Sequence, residues 1–264
     1  MRILITNDDG IHAEGLTALV RIAQRLSDDV WVVAPESEQS AQSRALTLSE
    51  PLRLRRLEEK RYAVSGTPTD CVMIAVEELM KDQAPDLVLS GVNRGHNTAE
   101  DVTMSGTVAG AIQGMVLGVP SIALSQALSL FHDDEVAHYE TAEAFAPAII
   151  ETLLAAGWPK DVIINLNFPN RPPEQVGQVE VTRQGFRDMH NARVEKRTDL
   201  RGRDYYWMGF TARRPTVADD TDLAAVMAGR ISVTPLHIDL THMPTVHALK
   251  GVLGGPPPKL RAHP

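Results

Sequence analysis

The regular alternation of short apolar runs with segments of helical periodicity is the feature that most constrains the fold of this 264-residue chain. The apolar runs, which are rich in β-branched residues, lie at 2–6, 30–35, 86–90, 121–125 and 161–168. Helical segments are predicted between them, at 16–26, 69–80, 107–117 and 140–156. In the last segment, Pro147 is expected to kink or break the helix. Strands that alternate with helices predict an α/β fold, with a mostly parallel sheet covered by helices on both faces.

Length, charge and cysteine content exclude several classes of protein. A chain of 264 residues can bury a sizeable core within one domain without disulfide bonds. The net charge of −8 disfavours binding of a nucleic-acid polymer but allows a small phosphate ester in a local pocket. Cys71 is the only cysteine, which excludes an intramolecular disulfide and a thiolate zinc cluster. We expect no signal peptide and no membrane span, and therefore a cytoplasmic protein.

Two stretches depart from the alternation of strands and helices. Residues 45–64 alternate like antiparallel strands and predict a hairpin excursion from the sheet. Residues 203–210 hold four of the twelve aromatic residues (three Trp, four Tyr and five Phe). They form either an interface or pocket wall, or a local core under a long hairpin. We predict one domain over residues 1–241, followed by a partly disordered tail at 242–264 that is rich in Gly and Pro.

Three polar loops directly follow predicted strands. Their sequences are NDDG at 7–10, ESEQSAQS at 36–43 and SGVNRGHN at 90–97. Parallel strands present their carboxyl ends at one edge of a sheet, and ligands bind beyond that edge. We therefore expect Asp8, Asp9, a serine of the second loop and an asparagine of the third to share one site.

The side chains of this set offer only oxygen donors, which favour Mg²⁺, Mn²⁺ or Ca²⁺ over zinc. Asp8 and Asp9 are adjacent like charges, and a bound divalent cation would relieve their repulsion. The alternative is that Asp9 and Gly10 only form a β-turn. The two matching polar loops favour the metal site.

The segment Ser105, Gly106 and Thr107 precedes a helix of small residues. Backbone N–H groups and two hydroxyls at a helix start can bind an anion, whereas the alternative is ordinary capping, worth ~1 kcal/mol. A metal beside a phosphate cradle describes a phosphohydrolase. His12 and His96 can each act as an acid or base near neutral pH, although most of the nine histidines are expected on the surface.

Several motifs occur in the same order as in the SurE survival-protein nucleotidases, and the chain resembles that family over residues 1–241. The matching segments read ILITNDDGIHAEGL, VVAPESEQSAQS, GTPTDCV, DLVLSGVNRGHN, SGTVAGA and ISVTPLHIDLT. The resemblance implies a Rossmann-like α/β core, a protruding hairpin and a C-terminal exchange arm, here at about 185–241. It also implies a homodimer or homotetramer, which would give residues 203–210 an interface role.

The resemblance further implies a set of site residues. One divalent metal ion per subunit, Mg²⁺ or Mn²⁺, would be held by Asp8, Asp9, Ser40 and Asn93. Phosphate contacts would come from Asn97, Ser105, Gly106 and Thr107. The implied activity is hydrolysis of nucleoside 5′- and 3′-monophosphates, and of short polyphosphate in some members. The loop at 36–41 is acidic here, where the family often has basic residues and Gly.

We therefore predict a metal-dependent phosphomonoesterase, a 5′-nucleotidase in which Asp8 and Asp9 hold the cation and orient the attacking water. One alternative is an aspartyl-phosphate phosphatase, which normally has a D-x-D pattern and a later lysine. Another is a receiver-like signalling module that binds Mg²⁺ through an acid pair. The adjacent acids disfavour the first, and the absence of an acid at the end of strand 86–90 disfavours the second.

Overall fold

A central sheet of nine paired strands organises the structure. The computed structural model describes residues 1–128, 136–187, 192–210 and 216–255. Strands lie at β1 (Arg2–Thr6), β2 (Asp29–Pro35), β3 (Leu54–Glu58), β4 (Arg61–Val64), β5 (Leu87–Arg94), β6 (Ser121–Gln126), β7 (Val162–Phe168), β8 (Val179–Val181), β9 (Ala192–Thr198), β10 (Asp204–Phe210) and β11 (Ile231–His237). Helices lie at α1 (Glu14–Gln24), α2 (Pro68–Ile74), α3 (Gly106–Val116), α4 (Tyr139–Ala156), α5 (Asp222–Met227) and α6 (Met243–Leu253).

The strand order of the sheet is β3-β4-β2-β1-β5-β6-β7-β11-β8. The five neighbouring strands β2, β1, β5, β6 and β7 pair in parallel, and β11 pairs antiparallel with β7. The predicted α/β class with a mostly parallel sheet is therefore confirmed. Each of the predicted parallel strands is present, and β5 extends beyond the predicted residue 90 to Arg94. This extension brings Asn93 into a strand, with an irregular register between Ser90 and Asn93.

Helices cover both faces of the sheet. Successive side chains of a strand point to opposite faces, and those of β1 are buried on both. Ile3 and Ile5 of β1 pack in a cluster with residues of α1 and α4. Leu4, between them, packs on the other face with Cys71 and Val72 of α2. A strand that is buried on both faces needs apolar side chains at successive positions, which explains the apolar run at 2–6.

The structure corrects the prediction of a break at Pro147, because helix α4 is not broken there. The helix runs without interruption from Tyr139 to Ala156, with Pro147 in its interior. Pro147 is buried, and its neighbours Ala146 and Ile150 belong to the core cluster. Tertiary packing of this face compensates for the backbone hydrogen bond that proline removes.

The two irregular stretches form two different hairpins. Within residues 45–64, β3 and β4 pair antiparallel, and β4 also pairs in parallel with β2, so this hairpin forms the edge of the main sheet. Strands β9 and β10 form a separate two-stranded sheet. Tyr206 and Trp207 on β10 are 61% and 59% exposed, so they form no local core with the residues that the structure describes. Segments 188–191 and 211–215 of the predicted arm lie outside the described residues.

The predicted tail begins with a helix, α6, whose residues are all exposed or partly exposed. Residues 256–264 of that tail lie outside the described residues. In the described part of the chain, no helix is both long enough and apolar enough to span a bilayer.

A glycine face of α3 determines how closely this helix approaches the sheet. Gly106, Gly110 and Gly114 recur at helical spacing and are all buried. A Cβ atom at Gly110 would lie 2.7 Å from Ser90 Oγ on β5, and one at Gly114 would lie 2.8 Å from Val88 Cγ2. The absence of side chains at these positions lets α3 lie flat on the sheet, so its N-terminus reaches the edge where the parallel strands end.

We expect Gly114→Ala to lower the free energy of unfolding by about 1–3 kcal/mol, because the added methyl overpacks against Val88. Alanine also brings a gain of about 1 kcal/mol to a helix, so the loss is taken as the difference from a Gly→Ala change at an open helical position. Urea denaturation followed by circular dichroism measures the change. Gly251→Ala in α6 is the matched control, since a Cβ there meets no atom within 4 Å. Equal stability of the two variants would contradict the close contact of α3 with the sheet.

Candidate active site

The three polar loops meet beyond the carboxyl ends of β1, β2 and β5. The Gln39 N–H in the second loop donates to the backbone oxygen of Asp8 at 2.8 Å. The Arg94 N–H at the end of β5 donates to Asp9 Oδ2 at 3.1 Å. These bonds place Gln39 and Arg94, the sequence neighbours of Ser40 and Asn93, against the acid pair.

Asp8 is the more enclosed of the two acids, with 5% of its surface exposed. Its carboxylate accepts a hydrogen bond from Thr107 Oγ1 at the start of α3. Gly106 lies so close that a Cβ there would be 2.9 Å from Asp8 Oδ2. Burial raises the pKa of Asp8 to about 6, and the neighbouring charge of Asp9 adds to the rise, although the Thr107 hydrogen bonds oppose it.

Asp9 is partly exposed, and its environment is also unfavourable for a negative charge. Burial raises the pKa of Asp9, and the charge of Glu38 adds to the rise. The backbone N–H and the positive charge of Arg94 oppose it. Two adjacent carboxyl groups with raised pKa values form a site where a bound cation would be strongly stabilised.

The other two predicted metal ligands lie at the rim of the acid pair. The Asn93 side-chain nitrogen donates to the Gly95 backbone oxygen at 2.9 Å, a bond that does not use its carbonyl oxygen. Ser40 is exposed, and its hydroxyl donates to Glu38 Oε1 at 2.7 Å. The structure thus places Ser40 in the second polar loop, with its hydroxyl bonded to Glu38.

The chemistry of this donor set fits Mg²⁺ or Mn²⁺, because two carboxylates, a carboxamide and a hydroxyl offer only hard oxygen atoms. Among the described residues, no group of three or more His, Cys, Asp and Glu side chains could hold a metal. A cation bound to Asp8 and Asp9 would therefore complete its coordination with neutral oxygen atoms.

Ordinary capping, one of the two roles considered for the start of α3, is present in the structure. Ser105 is the N-cap, and its hydroxyl accepts the Val108 N–H at 3.0 Å. Capping, the alternative to phosphate binding, therefore engages the Ser105 hydroxyl, and the Thr107 hydroxyl is bonded to Asp8. The N–H groups of a first helical turn have no partner inside the helix, so the backbone at Gly106 and Thr107 is the feature suited to an anion.

Asn97 is buried in a polar network that the sequence did not predict. Its side-chain nitrogen donates to Ser125 Oγ at 2.9 Å, and its backbone N–H donates to Asn167 Oδ1 at 2.8 Å. Its backbone oxygen accepts from the side-chain nitrogens of Asn165 and Asn167, at 2.8 Å and 3.1 Å. The available signal was the pattern NLN in β7, where two polar residues interrupt a buried strand.

The two histidines considered for acid–base chemistry differ in their surroundings. His12 is exposed at the surface. His96 is half-buried, and burial together with the positive charge of Arg187 lowers its pKa to about 4, although Asp101 opposes the shift. His96 is therefore neutral at physiological pH.

Tyr139, the first residue of α4, is a further buried neighbour of the acid pair. Burial raises its pKa, and the charges of Asp9 and Glu14 add to the rise. A Cβ at Gly15 would lie 3.0 Å from Tyr139 Cε1, so the ring packs closely on α1. Nothing in the local sequence distinguishes this tyrosine from an ordinary core residue.

Comparison with known proteins identifies the family. The family model described as survival protein SurE matches residues 3–191. The chain belongs to the SurE family. The 5′-nucleotidase SurE of Caulobacter vibrioides (strain NA1000 / CB15N) is 70% identical over 259 residues, which cover 98% of this chain and 98% of that protein. The 5′-nucleotidase SurE of Phenylobacterium zucineum (strain HLK1) is 65% identical over 260 residues, covering 98% and 100%.

Solved structures agree with this assignment to the SurE family. The crystal structure of the SurE protein from Aquifex aeolicus matches with a TM-score of 0.79 and 38% sequence identity. The match covers 96% of this chain and 99% of that chain. The resemblance found in the sequence and the SurE-like fold expected from it are both confirmed.

The raised pKa of Asp8 predicts that Asp8→Asn stabilises the metal-free protein at high pH. The folded-state pKa of about 6 exceeds the unfolded value of 3.8, so the folded state binds more protons between these values. The contribution of Asp8 to the stability of the native protein therefore falls as pH rises from 4 to 6, and the loss is complete above that range. We expect Asp8→Asn to be more stable by up to about 3 kcal/mol at pH 8, with no advantage at pH 4.

Urea denaturation in EDTA at both pH values measures this difference. Asp28→Asn is the control, because Asp28 is exposed next to the amino end of β2, at the opposite edge of the sheet. An Asp8→Asn effect of the same size at pH 4 and pH 8 would show that Asp8 is not electrostatically strained.

Proposed function

We propose that this SurE-family protein hydrolyses nucleoside 5′-monophosphates to a nucleoside and inorganic phosphate. The observation that supports this most strongly is the contact of the acid pair with the N-terminus of α3, made by the Thr107–Asp8 hydrogen bond. It brings a cation-binding group and an anion-binding group together. The relatives named 5′-nucleotidase, which match nearly the whole chain, support the choice of substrate.

We propose that one divalent ion, Mg²⁺ or Mn²⁺, binds to Asp8, Asp9 and Asn93, and to Ser40 once its hydroxyl turns from Glu38. The oxygen-only donors and the raised pKa values of both acids support this assignment. When bound, such an ion polarises a phosphoryl oxygen and lowers the pKa of a water molecule.

The residues of the chain have separate roles in this proposal. The backbone N–H groups of Gly106 and Thr107 bind the phosphate, with the Thr107 N–H turning to it from the Asp8 carboxylate. The missing side chain at Gly106 lets Asp8 lie beside this turn of the helix. Ser105 holds the first turn of α3 as its N-cap, and Thr107 orients the Asp8 carboxylate. Asp9 Oδ1, the oxygen not bonded to the Arg94 N–H, accepts a proton from the attacking water. Asn97 faces the same edge and completes the phosphate site.

Three finer assignments accompany this function. Nucleoside 3′-monophosphates and short polyphosphate are proposed as further substrates, because the groups named above contact only a terminal phosphate. Self-association as a dimer or tetramer through residues 203–210 is supported by the exposed side chains of Tyr206, Trp207 and Met208. A cytoplasmic location is supported by Cys71, a buried free thiol.

Phosphate release from a substrate panel tests the proposed function. The panel contains the common nucleoside 5′-monophosphates, 3′-AMP and tripolyphosphate, each with EDTA and with Mg²⁺ or Mn²⁺ restored. We expect release from the 5′-nucleotides that stops in EDTA and returns with one of the two ions. Release that persists in EDTA would contradict the metal site, and a lack of release from every nucleotide would contradict the function.

We expect Asp9→Asn to lower kcat by at least about 10²-fold, because the variant loses a metal ligand and a proton acceptor. Circular dichroism is expected to show an unchanged fold, since Asp9 lies at the rim of the sheet. Steady-state kinetics with 5′-AMP measures the effect, with Asp28→Asn as the control of equal charge change. Full activity of Asp9→Asn would refute the role given to Asp9.

A further inference from the structure

The loop that joins the two parts of the proposed phosphate site needs external support. Residues 98–104 connect Asn97 to Ser105 and contain a short 3₁₀ helix, Ala99–Thr103. Ala99 has a φ of 55°, a left-handed conformation that is unfavourable for a residue with a Cβ atom. Such a conformation persists only when surrounding contacts hold it in place.

Asp222 supplies one of these contacts from a distant part of the chain. It is fully buried at the start of α5. Its carboxylate accepts the backbone N–H groups of Ala99 at 2.9 Å, Gly185 at 2.8 Å and Leu223 at 2.8 Å. A buried carboxylate that satisfies three donors fixes all three backbone segments relative to one another.

Arg187 supplies a second contact to the same loop. Its guanidinium donates to both carboxylate oxygens of Asp101, at 2.7 Å and 2.5 Å, and its side chain is only 14% exposed. Its backbone N–H donates to Glu100 Oε2 at 3.1 Å. Nearby, Gln184 Nε2 donates to the Ala99 oxygen at 3.1 Å. A bidentate, largely buried ion pair fixes orientation as well as distance.

These contacts lead directly to the start of α3. The Asp101 backbone oxygen accepts the Ser105 N–H at 3.1 Å, so the residue held by Arg187 also holds the N-cap. At the other end of the loop, Asn97 is fixed by Asn165 and Asn167. Neither Arg187 nor Asp222 contacts the acid pair in any of these bonds.

We propose that Arg187 and Asp222 are positioning residues that clamp residues 99–101 and so set the distance between Asn97 and the N-terminus of α3. This inference rests on the proposed function and deepens it, because the clamped distance is the width of the phosphate site. In this proposal, phosphate binding depends on the clamp, whereas binding of the metal ion by Asp8, Asp9 and Asn93 does not.

The same segment of the chain offers matched controls. Arg183 and Asp220 form a bidentate ion pair with distances of 2.7 Å and 2.9 Å, and both side chains are more than half exposed. They lie within four residues of Arg187 and Asp222, respectively. Among the described residues, the side-chain hydrogen bonds of this exposed pair join Arg183 to Asp220 and do not reach residues 99–101.

Steady-state kinetics with 5′-AMP compares Arg187→Ala, Arg187→Lys and Asp222→Asn with Arg183→Ala and Asp220→Asn, at a temperature where circular dichroism shows each variant folded. We expect the clamp variants to lose about 10- to 100-fold in kcat/KM, mainly through KM, and the controls to change less than about twofold. Arg187→Lys should recover little, since a lysine cannot form the bidentate pair. Affinity for Mn²⁺ alone, measured by calorimetry, should stay unchanged.

Several outcomes would overturn the clamp. Unchanged kinetics of Arg187→Ala would do so, as would equal losses in the Arg183 and Asp220 controls or a parallel loss of Mn²⁺ affinity. Asp101→Ala combined with Arg187→Ala should lose little more than either single variant, and additive losses would also contradict it. If the native protein hydrolyses no nucleotide, the proposed function fails. Calorimetry with inorganic phosphate then tests the clamp separately. The clamp requires Arg187→Ala to bind phosphate more weakly than the native protein does.

Discussion

The approach of α3 to the sheet is the constraint on which the site depends. Glycine at 106, 110 and 114 removes the side chains that would separate this helix from β1 and β5. The first turn of the helix therefore lies directly against Asp8, and Thr107 can donate to its carboxylate. A helix held one side chain further away would leave the acid pair facing solvent, where its charge would be screened and the helix terminus would have no role in the site.

This close contact has an electrostatic consequence. Burial beside α3 raises the pKa of Asp8, and the N–H groups and hydroxyl of the first turn only partly offset the cost of the charge. Asp9 and Glu38 add further negative charge at the same edge. The acid pair therefore favours a bound cation, while the helix terminus beside it favours an anion. The metal ion and the phosphate group of the proposed function would satisfy both preferences at once.

The local sequence pattern was sufficient to predict the parallel strands, but it was insufficient to predict the contacts of the side chains in the site. The apolar, β-branched runs predicted β1, β2, β5, β6 and β7, and the rule for parallel sheets placed the three polar loops at one edge. The predictions could not anticipate that the Ser40 hydroxyl bonds to Glu38 or that the Thr107 hydroxyl bonds to Asp8, because these contacts depend on atomic geometry. A kink or break was expected at Pro147, and α4 does not break there, since the packing of Pro147 is a tertiary effect. Asn165, Asn167, Arg187 and Asp222 were missed because their partners lie some 70 to 123 residues away.

The bond between Asp222 and Ala99 has a consequence for the synthesis of the chain. It joins residues 123 positions apart, and β11, which follows α5, closes against β7 later still. Strands β1, β2, β5 and β6 leave the ribosome before most of the C-terminal third has been synthesised. The loop after Asn97 then lacks the carboxylate that accepts the Ala99 N–H, although the strand that leads into the acid pair is already present. The proposed phosphate site would thus be completed late, once α5 emerges during translation.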